Sequence, residues 1–404
     1  YVANKLIKGF LGSANIDTNS RLCMSTAVAA HKRVFGSDTV PGCYEDLELA
    51  DLVVLTGSNM AWTHPVVFQR LMAAKQQRPE MTIVVIDPRR TVTAEQADLH
   101  LQIAPGSDVW LFDGLLAYLG THDALDRQYI DQHTNGMDDM IAASQARSGN
   151  LGEIAGRCGL TSEELAAFYQ KFAQTQSTVT VFSQGINQSA HGVDQASLIL
   201  YCHLATGRVG KPGSSPFSIT GQPNAMGGRE VGGLANMLAA HMDIDNTEHR
   251  ALVGEFWRSD KLPEKPGLKA VDMFRAVADG KIKFIWIMAT NPVVSLPESD
   301  KIIRALAGCE HVVVSDCVAD TDTLRLAHIQ LPAAAWGEKN GTVTNSERCI
   351  SRQRAFLPLS GQALPDWQII SRVARKLGYG HAFDYHCAAD IFREHASLSG
   401  YQNN

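Results

Sequence analysis

Short apolar runs alternate with helical patterns along the first half of the chain. Residues 51–56 (DLVVLT) and 82–86 (TIVVI) are apolar stretches that end at small or polar residues, as is typical of parallel strands buried on both faces. Between them, residues 64–77 place apolar side chains at helical spacing. Two such strands joined by a helix predict a right-handed βαβ unit. Residues 178–182 predict a further strand, followed by a helix over residues 196–206.

The same alternation restarts in the second half of the chain. Residues 284–288 and 311–316 predict two more buried strands, and residues 298–307 predict a helix between them. The stretch from 246 to 270 is polar, contains two prolines and lacks apolar periodicity, so it is interpreted as a linker.

These elements predict an α/β fold with two doubly wound, Rossmann-like lobes. The first lobe is expected over residues 1–245 and the second over residues 271–404, each with a parallel sheet that faces a cofactor crevice. A length of 404 residues agrees with more than one domain, because it exceeds what one hydrophobic core usually holds.

Charge and cysteine spacing exclude several classes of protein. The net charge of −6 argues against a nucleic-acid partner, and no apolar run is long enough to predict contact with a membrane interior. The eight cysteines show no C-x-x-C spacing, so a zinc ribbon or an iron–sulfur ligand run is not predicted for this chain. Scattered cysteines of this kind indicate reduced thiols and a cytoplasmic location.

Candidate chemistry lies where the predicted strands end. Gly57-Ser58-Asn59 and Asp87-Pro88-Arg89 each follow a strand, at positions where backbone donors and helix N-termini meet ligands. Neither forms a G-x-G-x-x-G loop or a phosphate-binding P-loop. A glycine- and serine-rich tract over residues 212–233 is interpreted as a long functional loop. From these residues alone, ordinary turn and capping chemistry remains an alternative.

Four stretches together resemble the molybdopterin oxidoreductases of the dimethyl-sulfoxide-reductase superfamily. They are residues 19–24 (NSRLCM), 57–59 (GSN), 221–233 (GQPNAMGGREVGG) and 338–348 (EKNGTVTNSER). Within that superfamily the chain is most similar to prokaryotic nitrate reductases, and more to the assimilatory branch than to the periplasmic one. Met24 stands where formate dehydrogenases would have histidine.

The resemblance implies a molybdenum cofactor, bis(molybdopterin guanine dinucleotide), with Cys23 as the protein ligand to the metal. It implies a catalytic pocket with Arg229, Gln222 and Met24, in which Cys23 and Arg229 line one funnel. Gln184 replaces the methionine of the periplasmic enzymes. The implied cofactor-binding residues are Gly57, Ser58, Asn59, His64, Asp87, Arg89, Gly106, Asp108, Gln184, Gln188, Asn291, Ser315, Asp316, Lys339 and Asp366.

By the same resemblance, the chain is the central catalytic segment of an enzyme that reduces nitrate to nitrite by oxygen-atom transfer. Electrons would come from a donor subunit or redox protein through a [4Fe–4S] cluster. The family's cluster-bearing amino-terminal domain and its carboxy-terminal domain are not recognised here, so we expect the isolated segment to be inactive. The alternatives are a formate dehydrogenase or another oxoanion reductase on the same scaffold, a non-catalytic electron-transfer relative, or a plain nucleotide-binding module.

Overall fold

The apolar runs of the sequence form the strands of two parallel sheets. The computed structural model describes residues 1–400. The strands described are β1 (Leu52–Thr56), β2 (Thr82–Ile86), β3 (Leu99–Leu101), β4 (Thr178–Phe182), β5 (Ser215–Ser218), β6 (Phe284–Met288), β7 (His311–Asp316), β8 (Ile329–Pro332), β9 (Gly341–Thr344) and β10 (Ile350–Gln353).

The larger sheet has the order β3-β2-β1-β4-β5, and all of its pairings are parallel. Thr56, the last residue of β1, pairs with Ile86 at the end of β2 and with Phe182 at the end of β4. The residues that follow these three strands therefore lie along one edge of the sheet. The predicted strands over 51–56, 82–86 and 178–182 are confirmed.

The smaller sheet has the order β6-β7-β8 and is also parallel, while β9 and β10 form an antiparallel pair. Its strands agree with the predicted runs 284–288 and 311–316, and the helix between them spans Ser299–Gly308. Asp316 ends β7, and Asn291 lies three residues beyond β6. The α/β class is confirmed for both halves of the chain.

The chain divides into two compact units whose limits differ from the predicted lobes. One unit, the Cys23 unit, comprises residues 22–223 and 346–349; the other, the Arg229 unit, comprises residues 1–21, 224–345 and the chain from 350 onward. The segment predicted as a linker contains the helix Thr247–Trp257 instead. Asn246 caps this helix: its side-chain oxygen accepts hydrogen bonds from the backbone N–H groups of residues 248 and 249. The polar residue at the start of the predicted linker is therefore a helix N-cap.

Long-range packing explains why the first residues join the second half of the chain. Leu6 and Phe10 pack in one apolar cluster with Val253 and Trp257 of that helix and with Phe383 near the carboxyl end. Such contacts join residues more than two hundred positions apart, so local composition does not reveal them.

The glycine- and serine-rich tract is more ordered than predicted. It contains β5, which pairs with β4 and is buried throughout, and the helix Ala225–Glu230. The prediction of one long loop over 212–233 was therefore wrong for these ten residues: pairing with β4 organises residues 215–218, and residues 225–230 form a short helix.

The helices of the Cys23 unit are Ser25–Phe35, Tyr44–Leu49, Met60–Thr63, Pro65–Gln77, Asp108–Thr121, Arg127–His133, Met137–Ser148, Leu151–Cys158, Ser162–Gln174, Gln184–Asn187 and Gly192–Ala205. The Arg229 unit contains the helices Val2–Asn4, Lys5–Phe10, Ala225–Glu230, Thr247–Trp257, Ala270–Ala278, Pro292–Ser295, Ser299–Gly308, Asp366–Lys376 and Ala388–Leu398. The short helix Ser20–Cys23 joins the two units in sequence. Within residues 1–400, no helix combines the length and the apolar character that crossing a bilayer requires.

Candidate functional site

Cys23 is the centre of a polar cluster in the Cys23 unit. It ends the helix Ser20–Cys23, and the longer helix begins at Ser25 after Met24, which is its buried N-cap. The Nε2 group of Gln184 donates to Cys23 Sγ at 2.9 Å, and the thiol donates to Oε1 of Gln222 at 3.1 Å. The half-buried thiol therefore lies between two amide side chains from distant parts of the sequence.

Thr220 orders the second half of this cluster. Its Oγ1 donates to Gln222 Oε1 at 2.6 Å and lies 3.7 Å from Cys23 Sγ. Its carbonyl is 2.7 Å from Nε2 of His64, so this ring nitrogen carries the proton and donates. Burial lowers the pKa of His64 below its usual range, which favours the neutral ring. Sequence reasoning missed Thr220, although it lies two residues before Gln222.

The backbone of the Cys23 segment is tied to the loop after β4. Gln188 donates from Nε2 to the carbonyl of Leu22 at 3.2 Å, and Thr26 Oγ1 donates to the carbonyl of Asn187 at 2.6 Å. Five residues singled out in the sequence, namely Cys23, His64, Gln184, Gln188 and Gln222, thus belong to one connected network.

A close glycine contact brings the ends of β1 and β4 together. Gly57 has φ +56°, and a Cβ on Gly185 would lie 2.5 Å from Gly57 Cα. Gly185 N donates to Gly57 O at 2.9 Å. Only glycine permits this approach of two backbones, and Ser58 and Gln184 are their immediate chain neighbours.

The remaining candidates in the Cys23 unit lie along the same sheet edge. Asp87 is buried and accepts from the Arg89 backbone N–H at 2.8 Å, while the Arg89 side chain is exposed. Gly106 has φ +82° and precedes the helix that begins at Asp108. Burial raises the pKa of Asp108 to about 6; hydrogen bonds from its own backbone N–H and from Thr56 oppose the shift, and the charge of Asp87 adds to it.

Asn59 belongs to a second small network beside β1. Its Oδ1 accepts from Thr93 Oγ1 at 2.8 Å, and the backbone N–H of Ala61 donates to the same hydroxyl at 2.9 Å. Thr93 is fully buried, so the loop after β1 is fixed against the loop after β2.

The Arg229 unit contains an equivalent network. Asn291 Oδ1 accepts from Thr323 Oγ1 at 2.6 Å, and the backbone N–H of Val293 donates to that hydroxyl at 3.2 Å. Asp316 accepts from the backbone two residues later, as Asp87 does. The two sheets therefore carry the same side-chain arrangement after their corresponding strands, and Thr93 and Thr323 were both missed in the sequence.

The other candidates of the Arg229 unit form pairs. Ser315 Oγ accepts from Nε1 of Trp286 at 2.8 Å, and Lys339 Nζ contacts Oδ2 of Asp366 at 2.8 Å. Ala333 donates its N–H to the carbonyl of Asp316, so the chain leading to Lys339 begins at the end of β7.

Arg229 lies on the short helix Ala225–Glu230 and is fully buried, with Nη2 2.9 Å from the sulfur of Met226. Arg229 and Cys23 belong to different units. The expectation that both line one funnel therefore stays a prediction.

Comparison with known proteins first defines the fold and then the family. The structure is similar to acetylene hydratase from Pelobacter acetylenicus, with a TM-score of 0.75 over 96% of this chain and 55% of that chain, at 18% sequence identity. A sequence profile described as molybdopterin oxidoreductase matches residues 1–376. The chain belongs to the molybdopterin oxidoreductase family, whose cofactor is molybdopterin with molybdenum.

Two of the relatives with the most similar sequences are nitrate reductases. A nitrate reductase of Klebsiella oxytoca is 54% identical over all of this chain and 46% of its own length. The assimilatory nitrate reductase catalytic subunit of Bacillus subtilis is 34% identical over 98% of this chain and 55% of its own length. The chain thus spans about half the length of these relatives, and the predicted resemblance to nitrate reductases is confirmed.

Proposed function

We propose that this chain is the catalytic-core segment of a molybdenum nitrate reductase that converts nitrate to nitrite. The observation that carries the proposal is the thiol of Cys23, which two glutamine side chains clasp beside the ends of the central strands. A soft thiolate suits molybdenum that is already bound by sulfur. The 54% identity to a protein named nitrate reductase supports nitrate as the substrate.

The sheet edge beside Cys23 fits a polar, hydrogen-bonding cofactor. Three buried side chains there have polar atoms without a hydrogen-bond partner in the described part of the chain: Ser58 Oγ, both amide atoms of Asn187, and Ser218 Oγ. A buried polar atom without a partner costs about 1–3 kcal/mol. Pterin rings carry donors and acceptors that could satisfy these atoms.

The repeated networks support the bis(molybdopterin guanine dinucleotide) form. Each unit has a carboxylate at a strand end, Asp87 or Asp316, that could accept hydrogen bonds from a ribose or a guanine edge. Each also has an Asn–Thr pair that fixes the neighbouring loop, with Asn59 in one unit and Asn291 in the other. Two similar binding positions in one chain agree with two similar dinucleotides.

The cofactor would supply the two-electron chemistry that removes one oxygen atom from nitrate. The residues of this chain would bind the cofactor, orient the nitrate and adjust the electron density at the metal. Cys23 would bind the metal as a thiolate. Gln184 donates to its sulfur, which draws electron density from the ligand and fixes its orientation. Thr220 orients Gln222 next to the sulfur. The buried guanidinium of Arg229 would attract and orient the nitrate anion.

We also propose a cytoplasmic location and a route of electron supply for the intact enzyme. Cys317 and Cys387 are exposed free thiols, which suits the reducing cytoplasm. Electrons would come from a donor subunit or redox protein through a [4Fe–4S] cluster held outside this segment. The segment alone would then be inactive.

Substitution of Cys23 tests the proposal. In the intact protein, Cys23→Ser should reduce nitrate reduction by reduced viologen at least a hundredfold, because a hard alkoxide replaces the soft ligand. Arg229→Ala should mainly raise KM, because it removes an anion contact made in the ground state and the transition state alike. The matched control is Cys43→Ser, a half-buried cysteine at a helix N-cap, where serine is well suited.

Molybdenum and guanine nucleotide content should be measured in each variant together with the rates. Wild-type kinetics in both Cys23→Ser and Arg229→Ala would refute the site. Formate oxidation without nitrate reduction by the wild-type protein would favour a formate dehydrogenase, and activity with a different oxoanion would change the substrate but keep the site.

A further inference from the structure

A buried lysine holds the segment that follows the Arg229 helix. Lys8 is fully buried and donates from Nζ to three backbone carbonyls, at 2.6, 3.0 and 2.7 Å. The acceptors are the carbonyls of Gly232, Leu234 and Met237. An ammonium group has three N–H donors, so this segment is folded around one cation whose hydrogen-bonding capacity it fills.

Asp17 and Arg21 hold the same segment through other atoms. The buried carboxylate of Asp17 accepts from the backbone N–H of Ala235 at 3.2 Å and from Arg21 Nε at 2.9 Å. Arg21 in turn donates from Nη2 to Oδ1 of Asn236 at 3.0 Å. Hydrogen bonds that involve charged groups are stronger than neutral ones, so residues 232–237 are fixed from the amino-terminal segment of the chain.

This segment is coupled directly to the helix that carries Arg229. The backbone N–H of Gly232 donates to the carbonyl of Arg229 at 3.0 Å, and that of Gly233 donates to the carbonyl of Gly228 at 2.8 Å. A Cβ on Gly232 would lie 2.5 Å from the carbonyl carbon of Leu238, so the turn has no room to shift. A displacement of the backbone carbonyls that accept hydrogen bonds from Lys8 would therefore also move Arg229.

We propose that Lys8, Asp17 and Arg21 form a charged clamp that positions Arg229 for its anionic substrate. They are positioning residues and act through the backbone of residues 232–237. The inference rests on the proposed role of Arg229 in nitrate binding. It assigns a function to three charged residues that lie outside the hydrogen-bond network around Cys23.

The test compares KM and kcat for nitrate in the intact protein with reduced viologen as donor. Lys8→Met keeps the length of the side chain but removes its donors, and should raise KM about tenfold with kcat within about twofold. Asp17→Asn keeps the shape and removes the charge, and should change KM in the same direction. The control is Lys281→Met, an exposed lysine of the same unit, which should leave both constants unchanged.

A double-mutant cycle separates positioning from general damage. If the clamp acts through Arg229, Lys8→Met should raise KM in the wild-type background and add nothing in Arg229→Ala. Equal effects in both backgrounds would overturn the clamp, as would unchanged KM in Lys8→Met or, if that variant fails to fold, in Asp17→Asn. An elevated KM in Arg229→Ala with no effect of the clamp variants would leave the proposed function intact. An unchanged KM in Arg229→Ala would overturn the clamp, whereas the proposed function would fall only if Cys23→Ser also kept wild-type kinetics.

Discussion

The contact between Gly57 and Gly185 permits a sharp test of the sheet edge. An alanine Cβ at position 185 would lie 2.5 Å from Gly57 Cα, whereas ordinary contacts begin at 3.4 Å, so the two backbones must separate by about 0.9 Å. The 2.9 Å hydrogen bond between Gly185 N and Gly57 O would then be lost. Overpacking costs about 1–3 kcal/mol and a lost hydrogen bond about 0.5–1.5 kcal/mol. We expect Gly185→Ala to destabilise this edge by roughly 1.5–4.5 kcal/mol.

The measurement combines thermal unfolding with hydrogen exchange of residues 183–188 in the intact protein. Gly185→Ala should lower the local opening free energy of this segment and reduce molybdenum content, because Gln184 and Cys23 depend on the same loop. The matched control is Gly156→Ala in the helix Leu151–Cys158, where an added Cβ meets none of the described residues within 4 Å. Alanine should stabilise that helix by about 0.5–1 kcal/mol. If Gly185→Ala behaves like Gly156→Ala, the glycine contact does not constrain the edge and the reasoning fails.

Two further predictions concern buried polar groups. Because burial raises the pKa of Asp108 to about 6, its folded state favours the proton; the stability that this provides is present below the ordinary carboxyl pKa and is lost as pH rises through 6. Asp108→Asn should therefore stabilise the protein by up to about 3 kcal/mol at pH 8 and have little effect at pH 4, as measured by denaturant unfolding; destabilisation at pH 8 would contradict this. Thr93→Val and Thr323→Val should each cost about 1–3 kcal/mol: the first leaves Asn59 Oδ1 and the backbone N–H of Ala61 without their partner, and the second leaves the backbone N–H of Val293 without its partner. Thermal unfolding of the two variants checks this, and a neutral effect of either would show that its network is not structural.

The strands were predictable where burial on both faces leaves a continuous apolar run. Residues 52–56 and 82–86 are buried almost throughout, and that environment selects the sequence directly. The strand β5, Ser-Pro-Phe-Ser, lies at the end of the sheet order and carries no such signal. Its proline at position 216 is tolerated on an edge strand. Only pairing with β4 makes this segment a strand.

The limits of the two units were not predictable for a related reason. The stretch 246–270 is polar on average, but its helix places Val253 and Trp257 in a core with Leu6. The apolar residues of this helix lie in two short groups, 251–253 and 256–257, and only Val253 and Trp257 are buried. The contacts that decide the limits of this unit involve residues near the start of the chain. The local sequence of either segment does not indicate that it packs against the other.

The candidate site shows a sharper contrast between chemistry and position. Spacing alone does not reveal that Gln184 and Gln222 meet Cys23, because they lie 161 and 199 residues away in the chain. The resemblance to a family singled out these residues, and the geometry adds Thr220 as the group that orients Gln222. A threonine beside a proposed ligand has no signature of its own, since its role depends on the partner that the fold supplies.

The Asn–Thr networks were predictable in part: the sequence singled out the asparagines but not the threonines. In each unit a loop after one strand must be fixed against the loop after the next, and a buried threonine does so by donating to an asparagine oxygen while accepting a backbone N–H. Asn59 and Asn291 were singled out separately from their strand ends. Had the two strand–loop–strand segments been aligned with each other, Thr93 and Thr323 would have stood at corresponding places, six and seven residues after Asp87 and Asp316. An internal repeat thus carries positional information that neither copy shows alone, because the same packing problem is solved twice by the same pair of side chains.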